Sequence, residues 1–427
     1  MPAVLREESP ADLGSDDLPR DVYFSREIHD REVATMWSRV WQVTCREEDI
    51  PGIGDHVVYD IADESLIVVR TEPDRIRAFH NSCLHRGTRL RNQGGTVREL
   101  RCPFHGFTWN LDGALAEIPC RWDFPHVRDE DFQLPEARVE TWGGFVFANF
   151  DLEAMPLIRY LDKVPVHFEA WPLEQRWKGA HVAKIFECNW KIAIEAFLET
   201  YHLLGVHPQN LAIAGDTNAQ YDVWEDCPHT SRMLQACGVS SPRRPLDDQA
   251  VVDAAGRLGL CEPGIRLAEG ESSRDAISDA IRRRVEPNSS ADVSKLSDAE
   301  VLDTIEYCVF PNLVLFGSLC PLSYRVRPLG NDPDRCIFEV MLLLPLPASG
   351  ERPRAAPLRW LSEGERFADV PELGFYGGVL DQDARLMPRI QRGLRAGRTA
   401  NITLGNYQEL QIRHMRQTLA RYLEHEG

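Results

Sequence analysis

Several features that mark other protein classes are absent from this sequence of 427 residues. No apolar run approaches the roughly 18 residues that a membrane-spanning helix needs. Residues 1–20 are acidic and polar, and they lack the basic and apolar segments of a secretory signal peptide. The formal net charge of −18 argues against a nucleic-acid partner, because phosphate binding requires a basic face. These absences predict a cytoplasmic enzyme with a small-molecule substrate.

Two further absences concern cysteine and nucleotide binding. The eleven cysteines are spread singly, in an odd number, without the spacing of a disulfide framework. This usage favours a reducing compartment, in which most of them are plain thiols. The sequence also has no Gly-x-Gly-x-x-Gly after a predicted strand and no cysteine set of the plant-type ferredoxins. A reaction that consumes NAD(P)H would therefore need a separate reductase.

The most specific pattern in the chain is a pair of short motifs. Cys83-Leu84-His85 reads C-x-H, and Cys102-Pro103-Phe104-His105 reads C-x-x-H, with sixteen residues between them. Each motif supplies one thiolate and one imidazole, which can hold zinc or an iron–sulfur cluster. Zinc fingers usually pair two cysteines and then two histidines, whereas each motif here is mixed. The arrangement favours a Rieske [2Fe–2S] cluster, in which two cysteines bind one iron and two histidines bind the other.

A second group of candidate ligands lies in residues 184–208. The middle of this stretch predicts a helix that a glycine and a proline end. Glu195, Glu199 and His202 are spaced four and three apart, which places them on one face of that helix. His207 follows beyond the helix end, where the chain can turn it back toward the same point.

Two histidines and one carboxylate form the ligand set of non-haem Fe(II) oxygenases, which leaves other coordination positions open. His202 and His207 fit the histidine positions. The carboxylate is predicted to be Asp383, with Asp381 close enough in sequence to be a rival. The order of the motifs supports this prediction, because the mixed Cys/His motifs are followed by the histidine pair, by β-rich sequence and by an acidic helix.

The chain divides into three predicted parts. Residues 1–45 are predicted to pack with the catalytic domain, and residues 46–155 to form a small antiparallel β domain that holds both Cys/His motifs. Residues 156–427 form the predicted catalytic domain. Within it, residues 238–300 are charged and interrupted by proline and glycine, and they predict a variable insertion that forms a partly mobile cap at the substrate entrance.

The sequence resembles the α subunits of Rieske non-haem iron oxygenases, the aromatic-ring-hydroxylating dioxygenase family. The resemblance covers nearly the whole chain except residues 238–300, and its main motifs are Cys83–Gly87, Cys102–Trp109, Asn189–Pro208, Phe310-Pro311-Asn312 and the region of Asp383. It implies an α+β fold with a Rieske-type small antiparallel β domain. A helix-grip catalytic domain follows, with an antiparallel sheet and a long C-terminal helix. The family also implies a homotrimer.

The resemblance implies roles for individual residues as well. The four implied ligands of the [2Fe–2S] cluster are Cys83, His85, Cys102 and His105. The three implied ligands of the mononuclear Fe(II) are His202, His207 and Asp383. Glu199 stands where the family has an acidic residue that links the two metal sites, so it is predicted to be essential for catalysis. Many ring-dihydroxylating members have aspartate there, and a glutamate is similar to the carnitine and betaine oxygenases.

The implied function is that of a terminal oxygenase component. It would use O₂ and electrons from an NAD(P)H-dependent reductase or ferredoxin to hydroxylate an aromatic or other hydrophobic substrate. One alternative is a monooxygenase or demethylase for an N-methyl, quaternary-amine or O-methyl substrate. Others are a non-catalytic Rieske electron carrier and a colourless zinc-stabilised binding module. Iron content separates them, since an oxygenase holds about three irons per chain and a carrier about two.

Overall fold

The computed structural model describes residues 2–9, 11–288, 290 and 292–424. Contacts between Cα atoms divide the chain into two compact units. The smaller unit contains Glu32–Tyr160, and the larger one contains the chain from Leu161 onward together with the N-terminal residues up to Arg31. Within the described ranges, no helix is both long enough and apolar enough to cross a membrane.

The smaller unit is built on a seven-stranded sheet in which neighbouring strands are antiparallel. In spatial order its strands are Gln42–Arg46, Phe145–Asn149, Glu136–Trp142, Arg75–His80, Glu64–Glu72, Asp55–Ile61 and Gly95–Thr96. Apolar and β-branched residues form the inner strands, and Ile67, Val69 and Phe79 enter the apolar core of this unit. The predicted small antiparallel β domain is confirmed.

A three-stranded antiparallel sheet in the same unit carries the second Cys/His motif. Its strands are Leu100–Arg101, Thr108–Trp109 and Leu115–Glu117. Cys102 and His105 lie in the connection between the first two strands, where a tight turn exposes the end of the loop. The Trp109 side chain is fully buried and donates a hydrogen bond from Nε1 to the Phe132 carbonyl at 2.8 Å. The loop is therefore anchored to the core.

The larger unit contains an eight-stranded sheet, antiparallel except for its last pair. In spatial order its strands are Ala214–Val223, Thr230–Cys237, Thr304–Val309, Leu313–Phe316, Leu322–Leu329, Asp332–Pro345, Arg176–Phe186 and Arg359–Trp360. The apolar run from Cys308 to Leu315 forms parts of two strands rather than one, because the chain turns at Phe310-Pro311. Proline has no N–H to donate to a strand ladder. The two remaining short strands, Leu18–Pro19 and Asn401–Ile402, pair with each other.

Helices complete both units. They are Arg26–Arg31, Leu157–Leu161, Lys163–His167, Trp190–Glu195, Leu203–Val206, Asp248–Leu258, Ser273–Val285, Asp298–Leu302, Phe375–Ala396 and Leu410–Glu424, with a π-helical segment at Glu32–Trp37. The longest, Phe375–Ala396, packs against the strand Arg176–Phe186 and the helix Trp190–Glu195. Its buried residues are three or four apart, at Gly377, Leu380, Asp383, Met387 and Gln391. The predicted antiparallel sheet with a long C-terminal helix is confirmed.

Residues 238–300, the predicted insertion, contain packed helices. Asp248–Leu258 begins at a cap in which the Asp247 side chain accepts a hydrogen bond from the Ala250 N–H. Ser273–Val285 has a similar cap at Ser272. Apolar residues of these helices form one buried cluster that includes Val252, Ala255, Ile277 and Ile281. The insertion is therefore packed into the larger unit, because the same cluster includes Ala212 and Ile213 from outside it.

Candidate metal centre and substrate cavity

The segment that carries the two histidines begins at Asn189. The Asn189 side chain accepts a hydrogen bond from the Lys191 N–H and caps the buried helix Trp190–Glu195. Its amide also donates to the Pro333 carbonyl at 2.7 Å, and its backbone N–H donates to the Gln391 side chain at 3.0 Å. These bonds fix the start of the segment between the sheet and the long C-terminal helix.

The predicted continuous helix across this segment is wrong. The structure ends the helix at Glu195, forms turns over residues 196–202 and begins a new short helix at Leu203. Glu195 therefore lies apart from the histidines. It accepts a hydrogen bond from the Tyr23 hydroxyl at 2.8 Å and pairs with Arg416 at 2.5 Å.

Side-chain hydrogen bonds explain the break. The Thr200 N–H donates to the Tyr221 hydroxyl at 3.0 Å, and the Thr200 hydroxyl donates to the Asp216 carbonyl at 2.6 Å. The His202 N–H donates to Oε2 of Glu199 at 2.8 Å. In a continuous helix these N–H groups would donate to carbonyls four residues earlier. Here side-chain oxygens accept the hydrogen bonds from these N–H groups instead, so the chain can leave the helical path.

His202, His207 and Asp383 lie together. One possible ligand atom from each residue lies within 4.8 Å of the others, and no other such group of three is found in the described part of the chain. Oδ1 of Asp383 lies 2.9 Å from Nε2 of His207 and 3.9 Å from Nε2 of His202. The two imidazole ring centres are 5.2 Å apart. Two imidazole nitrogens and one carboxylate at a single point fit a mononuclear iron.

Hydrogen bonds orient both imidazole rings. Nδ1 of His202 lies 2.9 Å from Oε1 of Glu199, and Nδ1 of His207 lies 2.7 Å from Oε1 of Gln382. When each Nδ1–H donates to its oxygen, both Nε2 atoms are free to bind a metal. Oε1 of Gln382 also accepts from Nε2 of Gln209 at 2.6 Å. Sequence reasoning did not find Gln382 or Gln209, because neither belongs to a recognisable pattern.

The electrostatics around His202 favour a cation. Burial alone would lower the pKa of this imidazole, but the hydrogen bond and charge of Glu199 and the charge of Asp383 raise the pKa overall. The negative charges of Glu199 and Asp383 thus both favour the protonated form of the same imidazole. A bound metal cation would offset the same pair of negative charges.

Asp381, the rival carboxylate in the sequence, is engaged elsewhere. Its Oδ1 accepts from the Phe367 N–H at 2.8 Å, and its Oδ2 accepts from the Ala368 N–H at 3.1 Å. Asp381 and Asp383 are on the same helix, but Asp383 is buried whereas Asp381 is half-buried. The geometry therefore associates Asp383, and not Asp381, with the histidines.

A cavity of about 500 Å³ adjoins the three residues, which form part of its wall. Most of the remaining wall is apolar or aromatic. The Phe197 ring lies 4.6 Å from the Tyr324 ring and 5.2 Å from the Phe338 ring, measured between centres. The insertion contributes Ala255, Leu260, Ile277, Ile281 and Val285. The cavity can hold a small organic molecule beside the metal site.

The two Cys/His motifs form matching turns. The Gly87 N–H donates to the Cys83 carbonyl at 2.8 Å, and the Gly106 N–H donates to the Cys102 carbonyl at 3.1 Å. Both glycines have positive φ, 73° at Gly87 and 80° at Gly106, a conformation that favours glycine. Each turn places its cysteine in the interior, where the residue is 3% exposed.

The motifs bring the two imidazoles close to each other and the two thiols close to each other. The His85 and His105 ring centres are 4.7 Å apart. Burial raises the pKa of the Cys83 thiol, and the neighbouring Cys102 adds to the increase. Burial and the neighbouring His105 lower the pKa of His85, which favours the neutral imidazole that a metal binds. This donor set fits a Rieske cluster.

Comparisons with known proteins agree with this geometry. A model of the Rieske [2Fe–2S] domain matches residues 40–128, and a model of the ring hydroxylating alpha subunit (catalytic domain) matches residues 166–425. The biphenyl 2,3-dioxygenase subunit alpha of Rhodococcus jostii (strain RHA1) is 33% identical over 195 residues, 42% of this chain and 41% of that protein. A glycine betaine monooxygenase oxygenase subunit of Chromohalobacter salexigens is 29% identical over 236 residues, 53% of this chain and 51% of that protein. The chain thus spans about half or less of these curated relatives.

Solved structures share the fold over nearly the full length. A quaternary ammonium Rieske monooxygenase in complex with L-carnitine gives a TM-score of 0.68 at 15% identity, covering 97% of both chains. Naphthalene 1,2-dioxygenase from Rhodococcus sp. bound to indole gives 0.66 at 19% identity, covering 96% of this chain and 95% of that one. At these identities the likeness shows the fold.

The fold and the two donor sets define a class of protein that combines a Rieske [2Fe–2S] cluster with a mononuclear iron. Because the catalytic-domain model matches more than half of its residues, the chain belongs to the family of ring-hydroxylating alpha subunits. The predicted family and the predicted pair of cofactors are confirmed.

Proposed function

We propose that this chain is the terminal oxygenase component of a multiprotein system. It hydroxylates an aromatic or other hydrophobic small molecule with O₂ and with electrons from a separate NAD(P)H-dependent reductase or ferredoxin. The observation that carries the proposal is the group of His202, His207 and Asp383 beside a largely apolar cavity. We also propose a cytoplasmic location, which the eleven free cysteines support.

The proposed ligands follow from the two donor sets. The four ligands of the [2Fe–2S] cluster are Cys83, Cys102, His85 and His105. The three ligands of the mononuclear iron are His202, His207 and Asp383. When bound, the iron supplies the chemistry that activates O₂, and the cluster supplies single electrons. In this proposal the cluster belongs to residues 46–155, and the iron belongs to residues 156–427. Of the N-terminal segment 1–45, the residues up to Arg31 pack with the catalytic domain, whereas those from Glu32 onward lie in the smaller unit, where Gln42–Arg46 is a strand of the sheet.

The protein's own side chains position the reactants. Glu199 and Gln382 hold the rings of His202 and His207 so that both Nε2 atoms face Asp383. The apolar wall of the cavity binds the body of the substrate and excludes water from the reacting carbon. Close placement of the substrate beside the metal ligands is the main contribution of this chain to the rate.

Replacing Gln382 with leucine is expected to weaken Fe(II) binding at the mononuclear site about 10- to 100-fold. The reason is that His207 loses the acceptor that orients its ring. Anaerobic Fe(II) titration of the protein depleted of mononuclear iron measures the change. Gln408→Leu is the control, because Gln408 donates to the Thr217 carbonyl and makes no contact with either histidine. Equal Fe(II) affinity in wild type and Gln382→Leu would contradict this role.

We further propose a homotrimer in which electrons pass from the cluster of one chain to the iron of the next. His105 is exposed, so its ring can meet a neighbouring chain, and Glu199 is bonded to His202. A charged hydrogen bond from each imidazole to Glu199 would link the two metal sites. Inter-subunit electron transfer is described for a quaternary ammonium Rieske monooxygenase of similar fold. This likeness supports the proposal for the present chain.

The surface beside the cluster motifs suits an acidic electron donor. Between Cys83 and Cys102 the chain has one acid, Glu99, and the basic residues Arg86, Arg89, Arg91, Arg98 and Arg101. Arg89 pairs with Asp60 at 2.5 Å. Arg86 is exposed, and its guanidinium lies 5.4 Å from the centre of the Phe104 ring, whose residue is 57% exposed. We propose that an acidic ferredoxin or reductase docks at Arg86 and Phe104.

Replacing Arg86 with glutamate is expected to slow electron transfer from the ferredoxin about tenfold at low ionic strength, because it reverses the charge that steers the encounter. Added salt is expected to slow the wild type and to narrow its difference from the variant. Stopped-flow reduction of the cluster measures both effects. Arg89→Glu serves as the comparison, since Arg89 already has a partner in Asp60. A rate that is independent of salt and of Arg86 would refute this docking site.

A substrate screen tests the proposed activity. Candidate substrates are added to the iron-loaded protein with NAD(P)H and a ferredoxin–reductase pair, and O₂ uptake and ¹⁸O incorporation from ¹⁸O₂ are measured. About three irons per chain with substrate-dependent uptake are expected. About two irons per chain without uptake would indicate an electron carrier instead.

A second candidate function is the oxidation of an N-methyl, quaternary-amine or O-methyl substrate. It is favoured by Glu306, a buried acid that lines the cavity and is paired with none of the described residues.

A further inference from the structure

Glu306 is a buried acid of the cavity wall that is paired with none of the described residues. It lies on the strand Thr304–Val309, lines the cavity and is 3% exposed. Its Oε1 atom accepts no hydrogen bond, and Glu306 makes no ion pair within the described ranges. A buried carboxyl group without a partner is costly to the folded state. Such a group inside a binding cavity indicates that a bound ligand supplies the missing partner of the carboxyl group.

The other acids in the lining of the cavity are engaged. Glu199 and Asp383 belong to the proposed iron site, and Asp303 pairs with Arg274 at 2.6 Å. Among the described residues that line the cavity, Arg284 is the one arginine or lysine, and it is exposed. Glu306 is therefore the acid left to meet a ligand.

Aromatic and sulfur-containing side chains flank Glu306. It pairs with Phe316 on one neighbouring strand and with Met233 on the other, and all three line the cavity. Residues directly opposite each other in a sheet share one face. The Tyr324 ring centre lies 5.4 Å from that of Phe316 and 4.6 Å from that of Phe197. Aromatic rings in the wall of the cavity that holds a buried acid favour an organic cation as the ligand.

The ionisation of Glu306 also favours a cationic ligand. Burial, together with the charge of nearby Glu199, raises the pKa of Glu306 well above its usual range. Without a ligand, burial therefore disfavours the ionised form of this carboxyl group. A cation in the cavity would stabilise the ionised carboxylate, whereas an anion would oppose it.

We propose that Glu306 binds the cationic nitrogen of the substrate, which is an organic ammonium or quaternary ammonium compound with an apolar body. The inference rests on the proposed function, since it names the substrate class of the same cavity. Glu306 balances the positive charge. Phe316, Tyr324 and Phe197 contact the carbon atoms around the nitrogen, whose attached hydrogens carry much of that charge.

Two pairs of ligands that differ only in charge test the proposal. Choline is compared with its neutral isostere 3,3-dimethylbutan-1-ol, and 4-(trimethylammonio)phenol with 4-tert-butylphenol. Isothermal titration calorimetry on the holoenzyme, without NAD(P)H or reductase, gives each Kd. In the wild type at least one cation is expected to bind about tenfold more tightly than its isostere. In Glu306→Gln that ratio is expected to fall below about twofold, with the affinity for the isostere retained.

Controls separate charge from folding. Asp303→Asn alters another cavity acid, one already paired with Arg274, and is expected to keep the preference for the cation. Glu306→Met, which fills similar space with an apolar chain, is a second variant, and thermal unfolding checks that each protein is folded. The absence of a preference in both pairs, including no binding of either cation, overturns the proposal, as does a preference that survives both Glu306 variants. Because binding is measured without turnover, a failure of O₂ uptake counts against the proposed function alone.

Discussion

Replacing Asp383 with alanine is expected to remove the mononuclear iron and leave the visible spectrum of the [2Fe–2S] cluster unchanged. The Asp383 carboxylate faces Nε2 of both His202 and His207, and its loss leaves only two neutral ligands for Fe(II). Iron is expected to fall from about three to about two per chain, because the cluster has separate ligands. Turnover is expected to fall to background. Metal analysis and absorption spectra measure these changes on the same sample.

Asp381→Ala is the matched control for this experiment. Asp381 lies two residues earlier on the same helix, but it bonds to the Phe367 and Ala368 N–H groups. Asp381→Ala is expected to lose some thermal stability and to keep its iron. If Asp383→Ala retained three irons while Asp381→Ala lost one, the carboxylate ligand would have been assigned to the wrong residue.

Replacing Glu199 with alanine is expected to lower turnover roughly 100-fold or more, at the upper end of what removing such a supporting residue does. The assay uses saturating Fe(II), which offsets a loss of iron affinity like that of Gln382→Leu, so that both metals are expected to be present. Glu199 orients His202 through Nδ1 and the backbone N–H, and it stands on the proposed route from His105 of the next chain. Steady-state turnover and iron content are measured together. Glu199→Gln is the comparison, because it keeps the size and one acceptor oxygen but not the charge. Turnover of Glu199→Ala within tenfold of wild type would rule out an essential role.

Mixed oligomers test whether the electron route crosses between chains. A Cys102→Ser chain lacks a complete cluster site, and a His202→Ala chain lacks a complete iron site. Each variant alone is expected to be inactive. Co-assembly is expected to restore part of the activity, because some neighbours then pair an intact cluster with an intact iron site. No recovery in verified mixed oligomers would eliminate the proposed intersubunit route.

The parts of the site that the sequence predicts well are those written in short motifs. Cys83 and His85 are two residues apart, and Cys102 and His105 are three apart, so local turns determine their placement. The order of the motifs predicts Asp383 as the carboxylate. The structure then distinguishes it from Asp381 by burial on one face of a helix.

Features that depend on distant partners could not be predicted in this way. Residues 190–204 have the composition of one helix, but the Tyr221 hydroxyl, on a later strand, takes the Thr200 N–H and helps to break it. Glu306 is an ordinary acid in a strand pattern until pairing places Phe316 and Met233 beside it. Strand register and side-chain pairing, which local sequence does not encode, decide both cases.

The cavity wall combines parts of the chain that differ in how freely their residues can be substituted. The metal-binding part comes from the segment after Asn189 and from the long C-terminal helix. Another part comes from Ile277 and Ile281, which belong to a buried cluster built mainly by the helices of the insertion. Ile277 lines the cavity but is not one of the proposed iron ligands, so a substitution there is expected to change the shape of the cavity and to leave those ligands in place. If the proposed function holds, the substrate range can diverge during evolution while the reaction with O₂ is retained, and a few substitutions in these helices are a practical route to engineered substrates.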